Sequence, residues 1–443
     1  MKGRSRSLAL ITLLLLCAPI SISQQATEKN IGNSRDNGLK MLKVVKDQIK
    51  KNYYDPNFHG VDLDARFRLA EERIKQATTG GQVIGVIAQA VLDLNDSHTM
   101  LIPPLREAVA VYGWRMQMIG DACYITGVMA GSDAEAKGLK PGDRVISLDA
   151  NEPTRDTMWK MQYYYYGLRP KARVQMVVQT PAGQTREVEV LTKLVKRRLE
   201  VDSGWIIDTD PVSPELGSGR GRVSLYEEFG ADLIVYRLPS FDVDSDEVDK
   251  MMKRISGHKA LVLDLRGNPG GQTATLERFV GYFFDHEVKV ADFKLRKETK
   301  EIRIKPRKSH TFAGNMIVLV DSQSSSAAEV FARLVQLEKR GTVVGDHSAG
   351  MVMQSIQYDL QLDTSGDPIL YGLSITNADL VMTDGKSLEW VGVAPDKIVL
   401  PTADDIRNRR DPTLAYAASL AGVTLDPEKA GSLFAPKDSK AKH

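Results

Sequence analysis

The sequence predicts a multidomain α/β protein, and three changes of texture along its 443 residues carry that expectation. From 38 to about 94 the apolar residues recur at helical spacing, as in Leu39, Leu42, Val45 and Ile49. Between about 108 and 196 they fall in short alternating runs punctuated by Gly and Pro, the signature of a small β-rich module. From 223 strand-like runs alternate with helix-like ones, as in a β-α-β core.

In chain order, the first residues read as an export signal. Lys2, Arg4 and Arg6 precede an apolar run over 8–18 broken by Thr12, and Ser21-Ile22-Ser23 supplies small residues suited to cleavage. Residues 1–23 are therefore assigned as a signal peptide. The run is too short to span a bilayer, so no stable membrane span is expected after cleavage, an uncleaved anchor being the weaker alternative. Cleavage removes three basic residues and takes the net charge from +2 to −1. Cys17 leaves with the signal and Cys123 stays alone, without an intrachain disulfide, which fits a periplasmic or secreted protein of a bacterial envelope. With 59 basic against 57 acidic residues, charge gives no argument for nucleic acid.

A helical N-terminal domain is expected over 38–106, its second apolar series being Val83, Ile84, Ile87, Val91 and Leu92. The β-rich module covers 107–198. It contains Cys123-Tyr124-Ile125, the turn and strand from Gly138 to Leu148, the run Val174 to Val178, and a helix over 157–166; this ordering resembles a PDZ domain. A linker rich in Gly, Ser and Pro occupies 208–222. The core spans 199–403, with strands at 259–265, 316–320 and 342–344 and a helix from 327 to about 338. The charged tail 404–443 is expected to fray.

Ser326 opens the helix that follows the strand 316–320, where free backbone N–H groups can stabilise a developing oxyanion. Ser326-Ala327-Ala328-Glu329 also reads as a capping box, in which the serine satisfies a free N–H. Gly270 and Gly271, just past an apolar strand, let the backbone approach a ligand or simply make a turn. Among seven histidines, His98 in Asp96-Ser97-His98-Thr99 and His347 in Gly345-Asp346-His347-Ser348 stand where either could reach such a site.

Together these segments resemble the C-terminal processing, or tail-specific, peptidase family over about 92–401. Leu263-Asp264-Leu265-Arg266-Gly267-Asn268-Pro269-Gly270-Gly271 is close to the family's Asp-Leu-Arg-Asn-Asn-Pro-Gly-Gly, Ser326-Ala327-Ala328-Glu329 to its Ser-Ala-Ser-Glu, and Gly392-Val393-Ala394-Pro395-Asp396 to its Gly-Val-x-Pro-Asp. The resemblance implies a PDZ domain joined to a crotonase/ClpP-like catalytic core. In the best-known branch a lysine acts as base; here that position is Met351. The resemblance then points to a second, tricorn-core-like branch that uses Ser, His and Glu, matched by Ser326, His98 and Glu389.

The expected oxyanion donors are the N–H groups of Ala327 and of Gly270 or Gly271. The expected peptide-carboxylate loop is Tyr112-Gly113-Trp114-Arg115. An unperturbed histidine base gives a kcat/KM rising near pH about 6.5. The sequence thus implies an exported serine endopeptidase acting on protein or peptide substrates without metal or cofactor. The alternatives are an inactive peptide- or ligand-binding relative, to which Met351 points, and a crotonase-like acyl-transfer enzyme.

Overall fold

The computed structural model describes residues 22–434 apart from 107, 197–198, 203–204, 209–223 and 365. The signal-peptide assignment falls at and before the first of these residues, and the 208–222 linker lies almost wholly outside them.

The N-terminal part is a three-helix layer: α1 (Ile22–Asn52), α2 (Leu63–Gln76) and α3 (Gly80–Leu92), followed by the short strand β1 (Met100–Ile102). Helix α2 starts where the Asp62 carboxylate accepts from Ala65 N–H at 2.9 Å, and α3 where the Thr79 hydroxyl accepts from Gln82 N–H at 3.2 Å. Leu63, Phe67, Ala70 and Ile74 form one buried stripe of α2. At Gly38 helix α1 comes so close to α3 that an added Cβ would sit 2.2 Å from the Val83 side chain.

The module contains β2 (Ala108–Val111), β3 (Trp114–Ile119), β4 (Ala122–Val128), α4 (Asp133–Ala136), β5 (Arg144–Leu148), α5 (Arg155–Gln162), β6 (Arg173–Gln179), β7 (Thr185–Leu191) and β8 (Lys193–Lys196). Its antiparallel sheet runs β3-β4-β5-β6-β7, with β3 on an edge, while β2 and β8 pair separately. Where one continuous helix over 157–166 was expected, α5 gives way to a wider helical turn at Tyr163–Leu168. A hairpin of β9 (Leu199–Asp202) and β10 (Trp205–Asp208) follows.

The core adds β11 (Leu225–Phe229), β12 (Leu233–Arg237), α6 (Ser245–Ile255), β13 (Ala260–Asp264), α7 (Thr273–Val280), β14 (Val288–Leu295), β15 (Thr299–Ile304), β16 (Asn315–Val320), α8 (Ala327–Leu337), β17 (Thr342–Gly345), β18 (Met353–Leu362), β19 (Ile369–Met382) and β20 (Lys397–Ile398). One six-stranded sheet, β11-β12-β13-β16-β17-β20, is parallel from β12 onward. Its central strands β12, β13, β16 and β17 are buried on both faces, which is why β13 reads as an unbroken apolar run. Residues such as Leu261, Leu263 and Val318 face α6, α7 and α8. Leu233, Val262, Ile317 and Leu319 face the opposite layer.

That opposite layer corrects the expectation of a frayed tail. Residues 403–432 fold into α9 (Ala403–Arg407), α10 (Pro412–Leu420) and α11 (Pro427–Ser432), and Leu414, Ala417 and Ala418 bury themselves on the second face of the sheet. A parallel sheet left bare on one face would expose a row of branched apolar side chains, and the small residues of α10 let it lie close against them.

The second core sheet is antiparallel, ordered β1-β19-β14-β15 with β18 also paired to β19. The N-terminal helices share a core with its Tyr371, Leu373 and Ile375, so this layer is not an independent body. The pairing of β1 with β19, Met100 opposite Ser374 and Leu101 opposite Leu373, carries residues 93–99 onto the second core sheet.

Candidate active site

Ser326 sits between β16 and α8 with φ 54° and ψ −121°, a backbone conformation that L-residues other than glycine rarely adopt. A sharp, strained strand-to-helix turn of this kind pushes a side chain out at the end of the sheet. The Ser326–Glu329 capping box forms, with the Glu329 carboxylate reaching back to Ser326 N–H, and Glu329 N–H also bonds the Ser326 carbonyl at 2.9 Å. Ser326 N–H is held by the Met351 carbonyl at 2.9 Å and by Glu329 Oε2 at 3.1 Å.

Glu329 is fully buried and organises the loop opposite. Its carboxylate accepts from Ser348 Oγ (2.6 Å), Gly350 N–H (2.7 Å) and Met351 N–H (2.9 Å) besides Ser326 N–H. Burial pushes this carboxyl up to about 7, against those four donors, which favour the charge. Met351 therefore serves the site through its backbone, and the neighbours that turn towards the cleft are Val352, Met353 and Gln354.

The glycine-rich turn is fixed from several sides. Arg266 makes paired hydrogen bonds to Asp264 and to Asp411, the residue that caps α10, so the C-terminal helices anchor this turn. Asn268 bonds the Leu238 carbonyl through its amide and takes Gly270 N–H on Oδ1 at 2.8 Å. Gly270 has φ +94°, and a Cβ there would fall 2.6 Å from Ser326 Cβ and 2.9 Å from Ala327 N, so the approach to the serine requires glycine. With Gly270 N–H committed to Asn268, the amides beside Ser326 that have no partner among the described residues are those of Gly271 and of Ala327, the latter at the first position of α8.

His98 and Ser326 line one cavity of about 250 Å³, together with Gly271 and Ala327. The His98 loop is pinned by Asp96 Oδ1, which accepts from His98 N–H (2.9 Å), Thr99 N–H (2.6 Å) and the Thr376 hydroxyl (2.6 Å). Glu389 stands behind the histidine: its carboxylate accepts from Ser97 N–H (2.7 Å), Ser97 Oγ (2.9 Å) and Val352 N–H (2.9 Å). Ser97 Oγ is also 2.7 Å from His98 Nδ1. Since the hydroxyl gives its one proton to Glu389, Nδ1 must donate to Ser97, which leaves Nε2 with the free lone pair.

Burial presses the His98 imidazole down to about 4, with Asp96 opposing, and burial likewise pushes Glu389 up to about 7. His347, the rival candidate, is exposed, does not line the cavity that holds Ser326, and its carbonyl accepts from Arg155 at 3.0 Å. Among the described residues no group of three His, Cys, Asp or Glu side chains is placed to hold a metal ion.

The carboxylate-loop expectation meets a different arrangement. Tyr112 and Trp114 are buried in the module core, their rings 5.2 Å apart, with the Tyr112 hydroxyl on the Tyr165 carbonyl at 2.9 Å. Gly113 takes φ +80°, and Arg115 is the exposed residue of the four. Sequence reasoning assigned no role to Ser97, to Glu329 as organiser of the loop, or to Asn268. The polar residues of the motifs were visible, but their pairing depends on loops far apart in the chain.

Residues 233–399 match Peptidase family S41. The chain is 24% identical over 353 residues to the tail-specific protease of Haemophilus influenzae, covering 75% of this chain and 48% of that protein. It is 24% identical over 320 residues to the carboxy-terminal processing protease CtpB of Bacillus subtilis, covering 70% of this chain and 62% of that one. The chain thus spans roughly half the length of these relatives. In fold it resembles mature CPAF in complex with lactacystin, with a TM-score of 0.63 at 16% identity over 88% of this chain and 98% of that one. It also resembles the photosystem II D1 C-terminal processing protease, with a TM-score of 0.50 at 17% identity over 90% and 99%. Motif order, fold and sequence match agree in likening residues 233–399 to peptidase family S41.

Proposed function

We propose that this protein is a serine endopeptidase in which Ser326 attacks the peptide carbonyl, His98 takes its proton, and Glu389 steadies the imidazole through Ser97. The observation that carries the reading is the strained Ser326 turn facing the same cavity as a neutral imidazole. A serine hydroxyl is a weak nucleophile until a base removes its proton, and His98 Nε2 is free to do so. The Gly271 and Ala327 amides supply the two donors for the oxyanion of the tetrahedral intermediate. His98 then returns the proton to the leaving amine, and water repeats the sequence on the acyl-enzyme. The inactive reading rested on Met351, whose side chain is not needed once a histidine faces the cleft.

The module over 107–198 is read as a PDZ-type peptide binder that adds a substrate C-terminus to the open edge of β3. The edge placement of β3 and the position of α5, whose Arg155 reaches the Gly120 carbonyl at 2.9 Å, support this reading. The Met118 carbonyl is already taken by the Ser322 hydroxyl at 2.5 Å, so the peptide would use the Trp114–Gln117 part of the edge. Export to a periplasmic or extracellular space is the accompanying proposal, and no helix among the described residues is long and apolar enough to cross a membrane.

The test is labelling with a fluorophosphonate beside hydrolysis of an unstructured protein. Wild type should do both and Ser326→Ala neither; proteolysis that persists in the variant would remove the assignment. Equal affinity of the module for a peptide with a free C-terminus and its amidated twin would remove tail recognition.

A further inference from the structure

The cavity beside Ser326 is walled by apolar side chains from both core layers: Leu276 of α7, Val290 and Phe293 of β14, Ile302 and Ile304 of β15, and Val330 of α8. Nothing in the mechanism above requires such walls. Across Glu277 and Ile304, which border both spaces, it adjoins a second hollow of about 770 Å³. The rim of that hollow carries Arg278, Arg303, Lys305, Arg307 and Lys308.

The charges there do not cancel. Arg278 is committed to Asp249 and Arg303 to Glu301, while Lys305 and Lys308 make no ion pair among the described residues and Arg307 lies over the Tyr282 ring at 5.5 Å. Glu277, half-buried at the junction, also makes no ion pair among the described residues, and burial raises its pKa. Three cations against one carboxylate leave this end of the cleft positive, an arrangement that attracts anionic segments and repels basic ones.

From these two observations we infer the substrate class of the site. The cleft selects a polypeptide that places a bulky apolar side chain in the cavity beside Ser326 and, within a few residues, an acidic side chain against Lys305, Arg307 and Lys308. The inference rests on the proposed peptidase reading. An apolar chain fills the first space and displaces water from its walls. An extended peptide advances about 3.3 Å per residue, so adjoining hollows are met by residues close in sequence.

A panel of internally quenched peptides tests this, with Leu, Phe, Ala or Lys at the cleaved position and Asp or Lys scanned through the flanking positions. Leu or Phe should exceed Ala by about tenfold or more in kcat/KM. Asp at one flanking position should lower KM relative to Lys, and the difference should shrink at high salt. The surface double variant Lys305→Glu/Lys308→Glu should invert the order of the Asp and Lys peptides. The same peptides bound to Ser326→Ala, followed by fluorescence anisotropy, report the preference without turnover. Failure of the wild type to label with fluorophosphonate would strike the peptidase reading, whereas labelling without any apolar or acidic preference in either assay would overturn this inference alone.

Discussion

Glu389 reaches His98 through the hydroxyl of Ser97, which lies 2.9 Å from the carboxylate and 2.7 Å from the imidazole. The carboxylate therefore fixes the tautomer at one remove, and the strength of the arrangement depends on a side chain that contributes no charge. Ser97→Ala should lower kcat about tenfold, the value of one hydrogen bond of about 1.4 kcal/mol, with KM little changed. His98→Ala should cost about 10²- to 10⁴-fold, and His347→Ala should cost nothing. Activity lost with His347 and kept without His98 would contradict the proposed base.

The pH profile follows from the two shifted groups. His98 must be neutral to accept a proton, and with its pKa at about 4 it is neutral through the weakly acidic range. Glu389, pushed up to about 7, gains its charge later, and in the proposed mechanism that charge favours the imidazolium of the transition state. Accordingly kcat/KM should rise first near pH 4 and again near pH 7, with the upper step absent in Glu389→Gln. A single rise near pH 6.5 would mean an unperturbed histidine.

Ser326 stores backbone strain that an alanine would keep and a glycine would release. Ser326→Gly should raise the unfolding free energy by about 1 kcal/mol in a denaturant titration while abolishing labelling. Destabilisation would instead mark the serine side chain as a structural cap.

Glu329 accepts four hydrogen bonds, and Gln offers an NH₂ group where at least one donor now points. Glu329→Gln should destabilise the protein by about 2 kcal/mol and slow fluorophosphonate labelling, because the 348–351 loop and Ser326 N–H lose their common anchor. A thermal melt within a degree of wild type would show that the network is dispensable.

Trp159 of α5 stacks on Trp390, with ring centroids 5.7 Å apart, and the Trp390 indole Nε1–H also reaches the Asn95 carbonyl at 3.2 Å. Aromatic pairs of this kind contribute about 1 kcal/mol. Trp159→Ala should therefore speed hydrogen exchange in α5 and in residues 93–99 while leaving the six-stranded sheet protected; unchanged exchange in 93–99 would deny the link.

What the sequence determined by itself was local. The apolar runs of β13 and β16, the turn at Gly270-Gly271 and the strand-to-helix step at Ser326 follow from residues adjacent in the chain, whose periodicity and backbone freedom are set where they stand. The tertiary structure decided what meets across long separations. It assigned Gly270 N–H to Asn268 and left Gly271 beside Ala327, placed Ser97 between His98 and Glu389, and turned Tyr112 and Trp114 inward. It also folded the charged tail, because the unpaired face of a buried parallel sheet needs a covering layer, and no local pattern in 404–434 reveals which surface awaits it. His98 and Glu389 belong to loops that meet across 292 residues of chain, and the antiparallel pairing of β1 with β19, with the Asp96–Thr376 and Ser97–Glu389 hydrogen bonds, sets the histidine in one cavity with the serine.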